Sequence, residues 1–177
     1  CDFMVQLKCL KENKIKRHKS SETIKAKKQL KRWQEIFNNA RWGLVICTGK
    51  TAKLKNINPA FAHMHGFVPD ELKDRSLLSL FINQERDKAQ LYLNESVKQG
   101  HYSFDSFHEH KDGHSFPVHI DITRVQSKTR KFLYSIVNVQ DISERVKIES
   151  KLKKAKQDAE AANLAKSEFL ATMSHEI

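Results

Sequence analysis

Over residues 102–139 apolar and polar side chains alternate with a period of two, and this pattern leaves few folds open. Tyr102, Phe104 and Ser106 alternate with Ser103, Asp105 and Phe107. Phe116, Val118, Ile120 and Ile122 then point one way, while Pro117, His119, Asp121 and Thr123 point the other. That is the side-chain repeat of a half-buried strand. Lys111-Asp112-Gly113 separates the two stretches, and Asp-Gly is a strong hairpin signal because glycine tolerates positive φ. Residues 132–139 read as a third strand, apolar on both faces at Leu133, Ile136 and Val137, which predicts a central position. Three antiparallel strands in series need a cover for their apolar face.

The residues upstream supply it. Leu44-Val45-Ile46-Cys47 is a short apolar strand, Thr48-Gly49-Lys50 a turn, and residues 52–57 a second strand. Asn58-Pro59-Ala60-Phe61 predicts a helix start: the Asn58 side chain can accept from an orphan amide, and proline loses nothing at the first helical position. Gly66 closes that helix and Pro69-Asp70-Glu71-Leu72 opens another. Asn83 is expected to cap a longer helix over 84–98, with Leu91, Leu93 and Val97 available for burial and Gly100 as its stop. The sum is an α+β domain, a five-stranded antiparallel sheet with helices on one face.

Helices flank this unit. Thr23, Ala26, Leu30, Trp33, Phe37 and Ala40 follow alternating steps of three and four, a seam that suits either a partner helix or packing on the following domain. Residues 1–22 predict a weakly specified helix. At the other end Ile148, Leu152, Ala155, Ala159, Ala162, Lys166, Phe169, Met173 and Glu176 repeat the seam, and no Gly or Pro interrupts residues 142–177. That is a long helix with a narrow small-residue stripe, as in a parallel dimeric coiled coil. Asp141 can cap it, with Glu144 completing a capping box and Arg145 pairing with Asp141 four residues back.

Charge limits the partners. The chain of 177 residues carries a net charge of +11, and residues 1–35 hold eleven Lys and Arg against four acids. Such a run suits an anionic membrane leaflet or nucleic acid. No aromatic residue interleaves with the basic ones before Trp33, which favours the juxtamembrane seat. No apolar run approaches the roughly 18 residues that span a bilayer, so the chain reads as a cytoplasmic portion, with a membrane anchor upstream of Cys1 left open. It begins with Cys1 and stops mid-pattern at Ile177, as a piece of a longer protein would. Cys1, Cys9 and Cys47 have no metal-like spacing and fit a reducing compartment. His63, His65, His101, His108, His110, His114 and His119 are scattered, and nothing in their spacing requires a metal or haem.

Residues 36–146 resemble the PAS sensor family, through Asn58-Pro59-Ala60-Phe61, Gly66-Phe67 before Pro69-Asp70-Glu71-Leu72, the Lys111-Asp112-Gly113 hairpin, and the closing Asp141-Ile142-Ser143-Glu144-Arg145. The resemblance implies a small-molecule pocket between sheet and helices, with an unidentified ligand or none. It also makes Asp141, Ser143 and Arg145 a relay from sheet to helix. The light-sensing branch of that family uses a cysteine in a helix beside the pocket, whereas Cys47 falls in the first strand.

The last stretch, Ser167-Glu168-Phe169-Leu170-Ala171-Thr172-Met173-Ser174-His175-Glu176-Ile177, resembles the phosphoacceptor box of sensor histidine kinases. His175 would be the nucleophile: a neutral imidazole is available near neutral pH, and Glu176 beside it could orient or deprotonate the ring. His175 lies off the apolar seam by spacing, so a dimer seam leaves it open. The resemblance implies a homodimer through the helices, ATP as phosphate donor, and an aspartate of a response-regulator receiver domain as acceptor. The chain has no nucleotide-binding motif, and the Arg-Thr-Pro that usually follows the box is absent. The catalytic domain is therefore expected beyond Ile177, with no self-phosphorylation by this piece. The expected divisions are a basic N-terminal segment (1–35), a PAS sensor domain (36–146) and a signalling helix entering the phosphotransfer domain (147–177). The alternative is a PAS interaction module of a nucleic-acid-binding regulator, whose last helix only dimerises.

Overall fold

In the computed structural model, residues 22–49, 51–129 and 132–175 are described. A helix, α1, occupies 22–39. It is followed by β1 (Gly43–Thr48), β2 (Lys53–Ile57), α2 (Pro59–Met64), α3 (Pro69–Leu72), two single 3₁₀ turns, α4 (Arg86–Gln99), β3 (His101–Glu109), β4 (Ser115–Gln126), β5 (Phe132–Asp141) and α5 (Ser143–His175). The five strands form one antiparallel sheet in the order β2-β1-β5-β4-β3. Both the α+β class and the central place of β5 are as the alternation predicts.

The inner face carries the core. Phe104, Ser106 and His108 on β3 are buried, as are Phe116, Val118, Ile120 and Ile122 on β4, and they meet Val45, Leu54, Phe61, Leu72, Leu77 and Phe81. Strict alternation sets this register, since a one-residue slip would turn the whole set outward. The turn of the β3–β4 hairpin closes through His110 N–H to the His114 carbonyl at 2.8 Å, with Gly113 at φ 92°.

Three expectations fail. Asn83 does not cap α4. It opens a 3₁₀ turn over Asn83–Glu85, and α4 starts only at Arg86, whose amide bonds back to the Asn83 carbonyl. The buried face of α4 is Ala89, Leu93 and Ser96, while Leu91 and Val97 are more than half exposed. The tertiary contact chose a stripe containing a serine, and Ser96 Oγ satisfies itself on the Leu93 carbonyl at 2.7 Å. Finally, β5 is central but one-sided: Val137 and Val139 are buried while Leu133 and Ile136 are exposed. Among the described residues no helix covers that outer face at these positions.

Helix α1 docks only by its end. Trp33 stacks on Phe37 at 4.9 Å, but Ile24, Leu30, Trp33 and Ile36 stay exposed. All but the last residue of the helix expected over residues 1–22, and most of the basic run, lie outside the described residues.

Candidate functional site

Asn58 fixes the ends of three elements at once. Its side chain is fully buried and uses its whole hydrogen-bonding capacity. Oδ1 accepts from the Phe61 amide at 2.9 Å and from the Leu44 amide at 2.9 Å. Nδ2 donates to the Phe37 carbonyl at 3.1 Å and the Trp42 carbonyl at 3.0 Å. The helix cap read from the sequence is therefore half of its work; the other half ties the last turn of α1 to β1.

A second interior polar element joins α2 to β3. His65 and His108 are both fully buried. His65 Nδ1 lies 2.7 Å from the Phe61 carbonyl, and His65 Nε2 lies 2.8 Å from His108 Nδ1. A carbonyl only accepts, so His65 Nδ1 carries its proton. Its Nε2 is then the acceptor, and His108 Nδ1 must donate to it. His108 Nε2 ends this chain as a buried lone pair without a hydrogen-bond partner, and the His108 and Phe81 rings pack edge to face with their centres 4.4 Å apart. Burial pushes His65 down to about 4, opposed by its bond to Phe61 and aided by the nearby His110. Burial, then the neighbouring His65, hold His108 well below the ordinary histidine value. Both rings are neutral at neutral pH.

The sheet hands over to α5 at a compact joint. Asp141 Oδ1 accepts from the Ser143 amide at 2.8 Å. The Ile142 amide bonds to the Pro117 carbonyl at 3.0 Å, and the Ile142 side chain is buried. The expected Asp141–Arg145 pair does not form. Asp141 points at the backbone of the first turn, and Arg145 reaches instead to Asp105 on β3 at 2.8 Å. Asp105 also takes His119 Nδ1 of β4 at 2.5 Å. The His119 hydrogen bond first, and the Arg145 charge with it, hold the Asp105 carboxyl below its usual range. Glu144 pairs with Lys147 at 3.3 Å, so no capping box forms. The Asp141 cap on the Ser143 amide is thus present, while the charged contact of Arg145 goes to Asp105, which also holds His119.

Between α4, the β1–β2 turn and the ends of β4 and β5 opens a cleft of about 680 Å³, lined chiefly by apolar surface, with Arg124, Gln90 and Asn94 among its polar residues. Arg124 lies over the Phe132 ring at 4.2 Å. Cys47 is buried away from it in the core, which pushes its thiol up to about 12 and leaves it unreactive.

Helix α5 runs without a break for 33 residues, roughly 50 Å at 1.5 Å per residue. Ile148 and Leu152 of its seam are exposed. The helix includes His175, whereas Glu176 lies outside the described residues.

A family model described as "PAS domain" matches residues 43–144. The chain belongs to the PAS domain family. Its PAS fold aligns with that of a protein from Colwellia psychrerythraea at TM-score 0.61 and 15% identity, covering 65% of this chain and 98% of that one. A PAS domain from a two-component sensor histidine kinase aligns at TM-score 0.56 and 18% identity, over 66% and 98% of the two chains. Among curated proteins, the sensor histidine kinase TmoS of Ectopseudomonas mendocina is 23% identical over 150 residues, or 82% of this chain. The chain spans only 15% of the length of that relative. At these identities the structural likeness concerns the fold. Among the described residues no helix is long and apolar enough to cross a membrane.

Proposed function

We propose that this PAS domain is the sensory segment of a histidine kinase, with α5 as the helix that carries its state to the phosphoacceptor His175. The observation that carries this reading is continuity. Central strand β5 passes through the Asp141 cap directly into α5, and α5 runs unbroken to His175. Tilting β5 against β3 and β4 pulls on Arg145 through Asp105, and so turns the start of the helix. The match to TmoS and the phosphoacceptor box support the same assignment.

The chemistry proposed at His175 is a phosphoryl transfer. The unprotonated ring nitrogen attacks the γ-phosphorus of ATP held by a kinase catalytic domain, the N–P bond forms, and the bond to the bridging oxygen breaks to release ADP. Glu176 takes the proton from the other ring nitrogen as positive charge develops. The phosphoryl group then passes to an aspartate of a receiver domain. The exposed seam of α5 pairs with a second copy, and the basic N-terminal segment sits against an anionic membrane surface. The segments 1–35, 36–146 and 147–177 serve as approach, sensor and signalling helix.

For the cue, the cleft beside α4 falls in the usual size range of small-molecule sites. Its apolar lining with Arg124 at the edge favours a small amphiphile bearing an anionic group.

The test is phosphate transfer from a purified histidine-kinase catalytic domain, with labelled ATP, to the wild-type chain and to His175→Gln. Acid-labile label on the wild type alone is expected. Equal labelling of both proteins removes the assignment, and label on wild type with ATP but no catalytic domain removes the expectation that this chain cannot charge itself.

A further inference from the structure

The β3–β4 hairpin gathers three ligand-type side chains within five residues. His110 Nδ1 lies 2.9 Å from Asp112 Oδ1, and His114 Nδ1 lies 2.5 Å from the same oxygen. The two imidazole rings stack at 4.5 Å, with 23° between their planes. All three donor atoms lie within 4.8 Å of one another. His110 is partly buried while Asp112 and His114 face solvent, so the set is held on one side and open on the other.

The turn builds this arrangement. Its backbone closes through His110 N–H to the His114 carbonyl at 2.8 Å and Gly113 N–H to the His110 carbonyl at 2.9 Å. The His114 amide donates to Asp112 Oδ1 at 3.2 Å. That bond, with the adjacent imidazoles, holds the Asp112 carboxyl down at about 2, so it is an anion at neutral pH. The His110 ring is fixed from behind: it lies where a Cβ on Gly66 would be, at 2.4 Å, and Gly66 has no Cβ.

We propose that His110, Asp112 and His114 form a binding site for a borderline divalent transition-metal ion of the zinc, nickel or copper type. Two imidazole nitrogens and one carboxylate oxygen are the donors such ions favour, with water completing the shell on the open side. Calcium would require six to eight oxygens, and magnesium an octahedral oxygen shell, neither of which this turn supplies.

The site has a mechanical consequence. Lys111, inside the ligand turn, donates its amide to the His65 carbonyl at 2.9 Å, and its ammonium pairs with Glu71 of α3 at 2.6 Å. A metal that stiffens the turn therefore stiffens its hold on α2 and α3, next to the buried histidine pair. The hairpin becomes an effector site on the sensor domain, separate from the cleft beside α4.

The experiment titrates the chelator-stripped chain with Zn²⁺ by calorimetry and with Co²⁺ by absorbance. Four proteins are compared: wild type, His114→Ala, Asp112→Asn, and His101→Ala. The last removes the exposed His101–Asp121 pair at 2.9 Å on the same sheet and controls for surface histidines. Expected are one equivalent per wild-type chain, a Co²⁺ ligand-field band without a thiolate charge-transfer band, and at least tenfold weaker binding in His114→Ala and Asp112→Asn. His101→Ala should bind as wild type does. Both hairpin substitutions fall on solvent-facing positions, and their metal-free melting curves report that they fold. No binding by wild type, a thiolate band, or equal affinity in His114→Ala overturns the proposal.

Discussion

Acidification should loosen this domain well before its carboxylates protonate, and the buried His65–His108 pair is the reason. Both rings are neutral in the folded state, with His65 pushed down to about 4 and His108 held well below the ordinary value. In the unfolded chain each titrates near 6.5. Between those limits the unfolded state binds more protons, so stability is fully present above about pH 6.5 and falls as pH drops toward 4. The full fall for His65 alone is about 3 kcal/mol, at about 1.4 kcal/mol for each unit between the two pKa values. Between about pH 7.5 and 5.5, one buried histidine costs about 1.4 kcal/mol and two cost nearly 3. Carboxylates stay ionised in that window, so they contribute little to the slope. Urea unfolding followed by tryptophan fluorescence measures it, with the double variant His65→Phe, His108→Leu as the comparison. Two-dimensional ¹⁵N spectra should also find both rings as the Nδ1–H tautomer. A wild-type stability that changes by less than about 0.5 kcal/mol across the window would refute the reasoning.

Three further outcomes follow from the same contacts. Asn58→Ala should lower the unfolding free energy by about 3 kcal/mol or more, read by urea denaturation, because four backbone groups lose their partner in a buried setting. Gly66→Ala should cost about 1–2 kcal/mol in thermal melting, since φ is +75° there and the new methyl must displace the His110 ring. Asp105→Asn should change global stability by less than about 1 kcal/mol, because Asp105 and Arg145 are both about half exposed and His119 about a third. It should nonetheless speed amide hydrogen exchange in the first turn of α5, at Arg145 and Val146; unchanged exchange there would argue against the charged arm of the joint.

Much of this was legible in the residue pattern, and the failures have physical causes. Alternation along β3 and β4 gave their facing correctly, because a sheet with one buried face punishes any slip. The inward His108 and its partner on α2 were not disclosed by the spacing of the histidines, which look scattered along the chain. Local rules failed where tertiary contact decided. Arg145 has an acid four residues back, yet Asp141 serves the Ser143 amide and Arg145 crosses to Asp105, forty residues earlier in sequence. Leu91 and Val97 look like core residues, but helix α4 turns Ala89, Leu93 and Ser96 inward. The hairpin histidines read as scattered because a strand spreads them, and a five-residue turn brings them back together.

The measurement that bears most directly on the central assignment is mapping of phosphate on this chain after incubation with ATP and a purified histidine-kinase catalytic domain. Fragment-ion mass spectrometry under neutral conditions locates the phosphoryl group residue by residue. A single acid-labile phosphate is expected on His175, absent from His175→Gln. Phosphate on any other histidine, or none under conditions that charge the donor's own phosphoacceptor domain, would contradict it.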